Sequence, residues 1–214
     1  RVNMFKIIIF LIFLSLNLLN ASNQSPINID KNLSKKINNF LSIIYDGGIK
    51  NIINTKYVLK IYTLDSNKII FNGLEFTLKE FHFHAPAENT INNVRYPLEL
   101  HFVHKNSLNQ ILVIGVLFKE GKENLVLNQI LTNVENSKKN LNLDLKDLLP
   151  KNKSYFNFKG SLTTKPYTEG IEWIVMEHPL ELSKSQILKF QKLLENNARS
   201  LQPLNNRIIK YFKE

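Results

Sequence analysis

The sequence predicts one mainly β domain with a few peripheral helices, and three observations lead to that class. Strand-like runs recur along the chain, the clearest being Phe81-His82-Phe83-His84, which alternates side-chain type with a period of two. Turn residues separate these runs, with Asn72-Gly73 the strongest hairpin signal. Helical spacing of apolar residues is confined to a few short stretches. The 214 residues are enough for one domain with a sizeable core. No internal repeat, linker or low-complexity region stands out beyond a richness in asparagine and lysine.

The chain opens on a targeting signature. Lys6 precedes the apolar run Ile7 to Leu14, which ends near Leu19-Asn20-Ala21-Ser22, as in a secretory signal peptide. The run is short for a membrane span, and Asn17 and Asn20 interrupt its end. Residues 1–21 are therefore expected to be a leader, with residues 22–214 a single exported domain in the periplasm or outside the cell. An uncleaved anchor is the alternative. Removing the leader takes away Arg1 and Lys6 and no acid, so the net charge falls from +10 to +8. The cations are scattered, without the basic runs interleaved with aromatics that mark a nucleic-acid surface. With no cysteine in the chain, disulfides and thiolate metal ligands are excluded.

Residues 23–29 are extended, and residues 32–45 show poor periodicity. Asp46-Gly47-Gly48 is a turn. Residues 57–64 and 68–72 are expected to be strands, with Asp65-Ser66-Asn67 turning between them. After Asn72-Gly73, Glu75 to His84 is a strand that ends at Ala85-Pro86. Residues 95–105 form the next strand, and the apolar run Ile111 to Phe118 suits a strand buried on both faces. Residues 123–136 are expected to be helical, and Leu141 to Leu149 a short helix or loop. Tyr155 to Lys159 and Glu172 to Glu177 are strands. Ser183 to Asn196 is the clearest helix, with Ser183 and Gln186 spaced as a capping box. Residues 207–212 close the chain as a strand.

Alternation places His82 and His84 on one face of a strand, opposite Phe81 and Phe83. His101, in Glu99-Leu100-His101-Phe102-Val103, is able to add a third nitrogen from a neighbouring strand. Three imidazoles with an open fourth position describe a catalytic zinc site. Glu99 shares the face of His101 and is placed to accept its outer N–H and fix the tautomer. Val103 falls on the same face. His104 falls on the opposite face and is assigned to structure, and His178, before Pro179, to a loop. The spacing His82-x-His84-x-x-x-Glu88 is also similar to the first cupin motif, which binds iron or manganese. The glycines and the Pro-x-Gly turn that accompany that motif are missing here.

Further blocks run in order along the chain: Gln24-Ser25-Pro26-Ile27-Asn28, Ala87-Glu88, Leu98 to His104, Gly160-Ser161-Leu162-Thr163-Thr164, Trp173-Ile174-Val175 and Gln202-Pro203-Leu204-Asn205-Asn206-Arg207. With Phe81 to His84, they resemble the α-class carbonic anhydrases of the bacterial, exported type. The resemblance implies a large twisted, mostly antiparallel central sheet with zinc at the base of a conical cleft, and reversible hydration of carbon dioxide by zinc-bound hydroxide. It implies His82, His84 and His101 as zinc ligands, with Glu99 behind His101. Thr163 becomes the hydroxyl that accepts a hydrogen bond from the hydroxide and donates one to Glu88. Val103, Val113, Leu162, Thr164, Ile171 and Trp173 fall on substrate-wall positions. A non-catalytic relative that keeps the fold as a binding protein is the alternative; such relatives typically lose a zinc histidine, and all three are present here.

The chain departs from the family in several places. Tyr57 stands where a proton-shuttling histidine is common, and tyrosine, with an ordinary pKa of about 10, is a poor relay at neutral pH. Glu80 replaces a glutamine beside His82. By parity it is able to back that ligand, the alternative being an exposed contact with a lysine. Asn89 replaces a histidine after Glu88 and is expected to loosen the bonds that position Glu88. Lys165 replaces the first of two prolines. The stretch ahead of Gln24 is expected to be shortened relative to the family.

Overall fold

The computed structural model describes residues 23–135 and 143–214. The expected leader and residues 136–142 lie outside the described residues. The strands are β1 (Asn28–Ile29), β2 (Lys35–Ile37), β3 (Leu41–Ile44), β4 (Ile49–Thr55), β5 (Val58–Thr63), β6 (Lys68–Phe71), β7 (Leu74–His84), β8 (Thr90–Ile91), β9 (Leu98–Lys105) and β10 (Ile111–Glu120). Helix α1 (Leu125–Glu135) follows, then β11 (Tyr155–Ser161), β12 (Glu169–Met176), β13 (Leu180–Leu182), helix α2 (Lys184–Leu194) and β14 (Lys210–Phe212). Twelve of the strands form one sheet, whose main path runs β2-β14-β11-β12-β10-β9-β7-β5-β4. Most pairings are antiparallel, but β10 runs parallel to β12 and β13, and β14 runs parallel to β2. No helix among the described residues is long and apolar enough to cross a membrane.

The sheet separates two cores. Phe81, Phe83 and Phe102 lie on one face, each at most 1% exposed, in the larger core that α1 and α2 cover. Burial of each such ring contributes roughly 1.5–3 kcal/mol. The smaller core, with Ile27, Val113, Phe158 and Trp173, lies on the other face, beside the histidines. The Asn72-Gly73 turn joins β6 to β7 with both residues at positive φ, 50° and 77°, as a two-residue hairpin of this hand requires. The box predicted for α2 forms: Ser183 Oγ accepts from Gln186 N at 3.3 Å, and Gln186 Oε1 accepts from Ser183 N at 3.0 Å. Gln186 also donates to the Asn124 carbonyl at 2.7 Å, which ties α2 to the start of α1.

At three places the structure adds detail that the sequence reading lacks. The poorly periodic stretch 32–45 contains β2 and β3, and β4 precedes the Tyr57 turn; these strands lie toward the sheet margins with much of their surface exposed, so no alternation marks them. Strands β5 and β6 do not pair with each other. Both pair with the long β7, β5 beside its C-terminal part and β6 beside its N-terminal part. Within the described part of the 141–149 segment, the regular structure is a 3-10 turn at Leu145–Leu148, capped by Asp144.

Candidate metal centre

The register of the sheet assembles the histidines. His82 on β7 stands directly opposite His101 on β9, and His84 opposite Glu99. The strand period then puts His84 on the face shared by the other two. Ring centroids are 5.1 Å apart for His82–His84, 5.3 Å for His82–His101 and 4.7 Å for His84–His101. One nitrogen can be taken from each ring such that all lie within 4.8 Å of one another.

Protein acceptors fix which nitrogen each ring turns inward. His82 Nδ1 is 2.9 and 3.2 Å from the two Glu80 oxygens, which leaves Nε2 facing the cluster. His84 Nδ1 reaches the Asn197 carbonyl at 3.4 Å. Its Nε2 is buried and has no hydrogen-bond partner among the described residues, a condition that ordinarily costs about 1–3 kcal/mol. His101 Nε2 is 3.0 Å from Glu99 Oε1, although its N–H is poorly aligned for a full hydrogen bond, and Nδ1 is the remaining nitrogen. Three neutral imidazoles with inner nitrogens so oriented suit a borderline-soft divalent ion such as zinc. The orphaned His84 Nε2 is what such an ion would satisfy.

Glu99 is fully buried and heavily used. Its Oε2 accepts from the backbone N–H of Glu88 and of Asn89, and its Oε1 from Asn89 Nδ2, each at 2.8 Å. Space for this carboxylate depends on Gly115, since a Cβ there would lie 2.8 Å from Oε1. The Asn89 side chain is turned toward Glu99. Its amide moors Glu99 and also accepts from Ile27 N at 3.1 Å, and Glu88 takes its own bond at Oε1 from Arg199 N at 2.8 Å.

The protonation preferences follow from burial and charge. Burial pushes the His84 imidazolium well below its ordinary range, and the neighbouring His101 and His82 add to this. His82 is also lowered by burial, against the pull of Glu80. For His101, burial acts downward, but Glu99 and then Glu88 outweigh it and the net shift is upward. Burial raises the Glu88 carboxyl. Thr163 beside it acts in the opposite sense, yet Glu88 Oε2 still lacks a completed bond.

The histidines floor a cleft of about 420 Å³. Val103, Val113, Leu162 and Trp173 form its apolar side, with Thr163 and Thr164 at the margin. Trp173 is pinned by an indole N–H bond of 2.9 Å to the Ser161 carbonyl and stands 4.9 Å from the His101 ring. Ile171 is 3% exposed within the smaller core and is not among the cleft-lining residues; Ile111 is. Tyr57 sits at the mouth, 42% exposed. Glu80 is buried and touches both His82 and a lysine, with Lys60 Nζ at 3.4 Å.

Sequence reasoning did not single out Lys60, Ile111 or Asn197. Lys60 had a usable signal, because it alternates with the buried Leu59 and Ile61 on β5 and its register partner is His82. Asn197 had none, because it reaches the site from a loop 113 residues away in sequence from His84.

A profile of the family described as eukaryotic-type carbonic anhydrase matches residues 15–213. The chain is 39% identical over 198 residues to a carbonic anhydrase of Klebsiella pneumoniae, covering 89% of this chain and 80% of that protein. Its fold is similar to the α-carbonic anhydrase of Thermovibrio ammonificans solved with the inhibitor sulfanilamide, at a TM-score of 0.83 and 38% identity, covering 92% of this chain and 90% of that one. The Photobacterium profundum α-carbonic anhydrase gives a TM-score of 0.81 at 34% identity, over 91% and 92% of the two chains. With the fold, the histidine floor and these relatives in agreement, the chain belongs to the eukaryotic-type, or α, carbonic anhydrase family of lyases.

Proposed function

We propose that this chain catalyses the zinc-dependent, reversible hydration of carbon dioxide to bicarbonate and a proton. The observation that carries the proposal is the set of three imidazoles whose outer nitrogens are turned toward protein acceptors, leaving three inner nitrogens for one ion. His82 and His84 would hold it through Nε2, and His101 through Nδ1. When bound, zinc supplies a nucleophile at neutral pH by lowering the pKa of water to about 7, the value established for carbonic anhydrases.

The chain's own groups do the rest. Val103, Val113, Leu162 and Trp173 offer an apolar surface to a substrate that carries no charge and needs no charged donors. Arg199 N–H occupies Glu88 Oε1, which leaves Oε2 for the Thr163 hydroxyl. A threonine that donates to Glu88 has only lone pairs to offer the attacking oxygen. It therefore accepts from that oxygen and turns the oxygen's free electron pair toward carbon. Tyr57 at the mouth is a weak proton relay, so proton export limits turnover in dilute buffer. The basic and apolar leader supports a periplasmic or secreted location.

The test is stopped-flow hydration of carbon dioxide by the zinc-loaded protein, with metal analysis and increasing imidazole. Catalysis at about one zinc per chain, rising with imidazole, is expected. A folded, zinc-loaded protein without hydration activity would falsify the proposal.

A further inference from the structure

Three non-glycine residues with left-handed backbones meet at one seam beside the cleft. Tyr57, at the tip of the β4–β5 hairpin, has φ 70°, and Glu195 and Asn196, just beyond α2, have φ 46° and 58°. Asparagine tolerates this region, but for tyrosine and glutamate it is strained. Such residues persist where surrounding contacts over-determine them. Here those contacts converge on the next residue, Asn197. Its Nδ2 donates to the Tyr57 carbonyl and to the Phe83 carbonyl, both at 3.0 Å. Its Oδ1 accepts from Ala85 N at 3.0 Å, and its backbone carbonyl receives His84 Nδ1 at 3.4 Å. A second tether, Lys56 Nζ to Glu195 Oε2 at 3.5 Å, is solvent-exposed at both ends and adds little.

We propose that the Asn197 side chain is a positioning residue that locks the β4–β5 hairpin, and with it one wall of the cleft, to the end of the strand that carries His82 and His84. Tyr57, Val58, Leu59 and Lys60 of that hairpin line the cleft. Among the described residues, strand β4 is the last on the main path of the sheet and pairs only with β5. The tip therefore has no neighbouring strand to hold it, and the Asn197 amide supplies the missing attachment. The backbone and side-chain functions are separable. The carbonyl serves a metal ligand, while the amide serves the wall. The inference rests on the proposed zinc centre only for the meaning of the cleft, since the clamp itself is read from protein contacts.

The test is amide hydrogen exchange and zinc retention in the zinc-loaded protein, using Asn197→Asp and Asn197→Ala. The aspartate keeps an acceptor for Ala85 N but loses both donors. Exchange at the tip, Thr55 to Val58, is expected to rise about tenfold in both variants. Exchange at Ala85 is expected to rise only in Asn197→Ala. Zinc release to a chelator should stay within about threefold of wild type, because the backbone carbonyl remains. Lys56→Ala should change tip exchange by no more than about twofold. Unchanged tip exchange in both Asn197 variants would overturn the clamp. So would protection lost evenly across β7, β9 and β10, or a larger effect from Lys56→Ala. Should the variants not fold, wild-type exchange under mild denaturant decides the matter. The clamp requires the tip and Ala85 to open in one step with the same denaturant dependence, and independent openings would overturn it. Failure of wild type to bind zinc would instead count against the metal centre and leave the exchange result to be judged by itself.

Discussion

His101 and His104 are three residues apart on β9, both essentially fully buried, and they serve opposite ends. His101 faces the cleft among Glu99, Glu88 and two further histidines, and its net shift is upward. His104 faces the large core. Its Nδ1–H donates to the Leu112 carbonyl at 3.3 Å, so Nε2 accepts from the Tyr45 hydroxyl at 2.7 Å. Burial dominates, and the Leu112 and Phe102 carbonyls and the charge of Glu80 offset it only in part, so its pKa falls to about 3. Burial alone does not make a functional histidine. Both rings are desolvated, and the charge of their partners separates a ring poised for a cation from one kept neutral as a core strut.

Removing each ring should produce the largest contrast. His101→Gln takes away one of three ligands, and zinc content measured by native mass spectrometry should fall to near zero, while His104→Gln should keep about one zinc per chain. If His101→Gln held zinc as firmly as wild type, the distinction between the two rings would break.

Acid acts on the two rings differently. The unfolded chain protonates His104 below its ordinary pKa near 6.5, whereas the folded chain resists until about pH 3. Its folded pKa is depressed, so its contribution is whole above about pH 6.5 and is lost as pH falls through that window. The full loss is on the order of 5 kcal/mol, or about 1.4 kcal/mol per pH unit. Denaturant titrations between neutral pH and about pH 5 should give a wild-type slope that exceeds that of His104→Gln by about this amount. Equal slopes would mean that this ring is not the acid-sensitive strut.

The smallest effect is expected behind His101. Asn89→Ala removes a donor to Glu99 and an acceptor for Ile27 N. Zinc affinity by chelator competition should weaken about tenfold, the size seen for outer partners of metal ligands, with a stability loss of about 1–3 kcal/mol. A stability loss with unaltered zinc affinity would place Asn89 in the core alone.

The residues that strand periodicity could read are those whose neighbours are local or directly across a ladder. Phe81 to His84, Glu99 and His101 declare their faces because a period of two admits only two orientations. The Gly160 to Thr164 block was legible through resemblance, not through periodicity. Strand β4 was not legible, since its packing leaves most residues exposed and removes the alternation that would mark it. Nor was the use of Asn89, whose amide serves Glu99 ten residues away in the chain and a backbone group of the N-terminal segment.

By itself, the order of amino acids determined which residues share a face, where the Asn72-Gly73 hairpin turns, how α2 is capped and which chemistry three histidines suit. Only the folded sheet decided that β7 and β9 align His82 with His101, that Glu80 reaches both His82 and Lys60, and that Asn197 closes the wall of the cleft. The physical reason is range. Backbone dihedrals and side-chain alternation act over a few residues, whereas register and long loop contacts arise where distant segments are desolvated together.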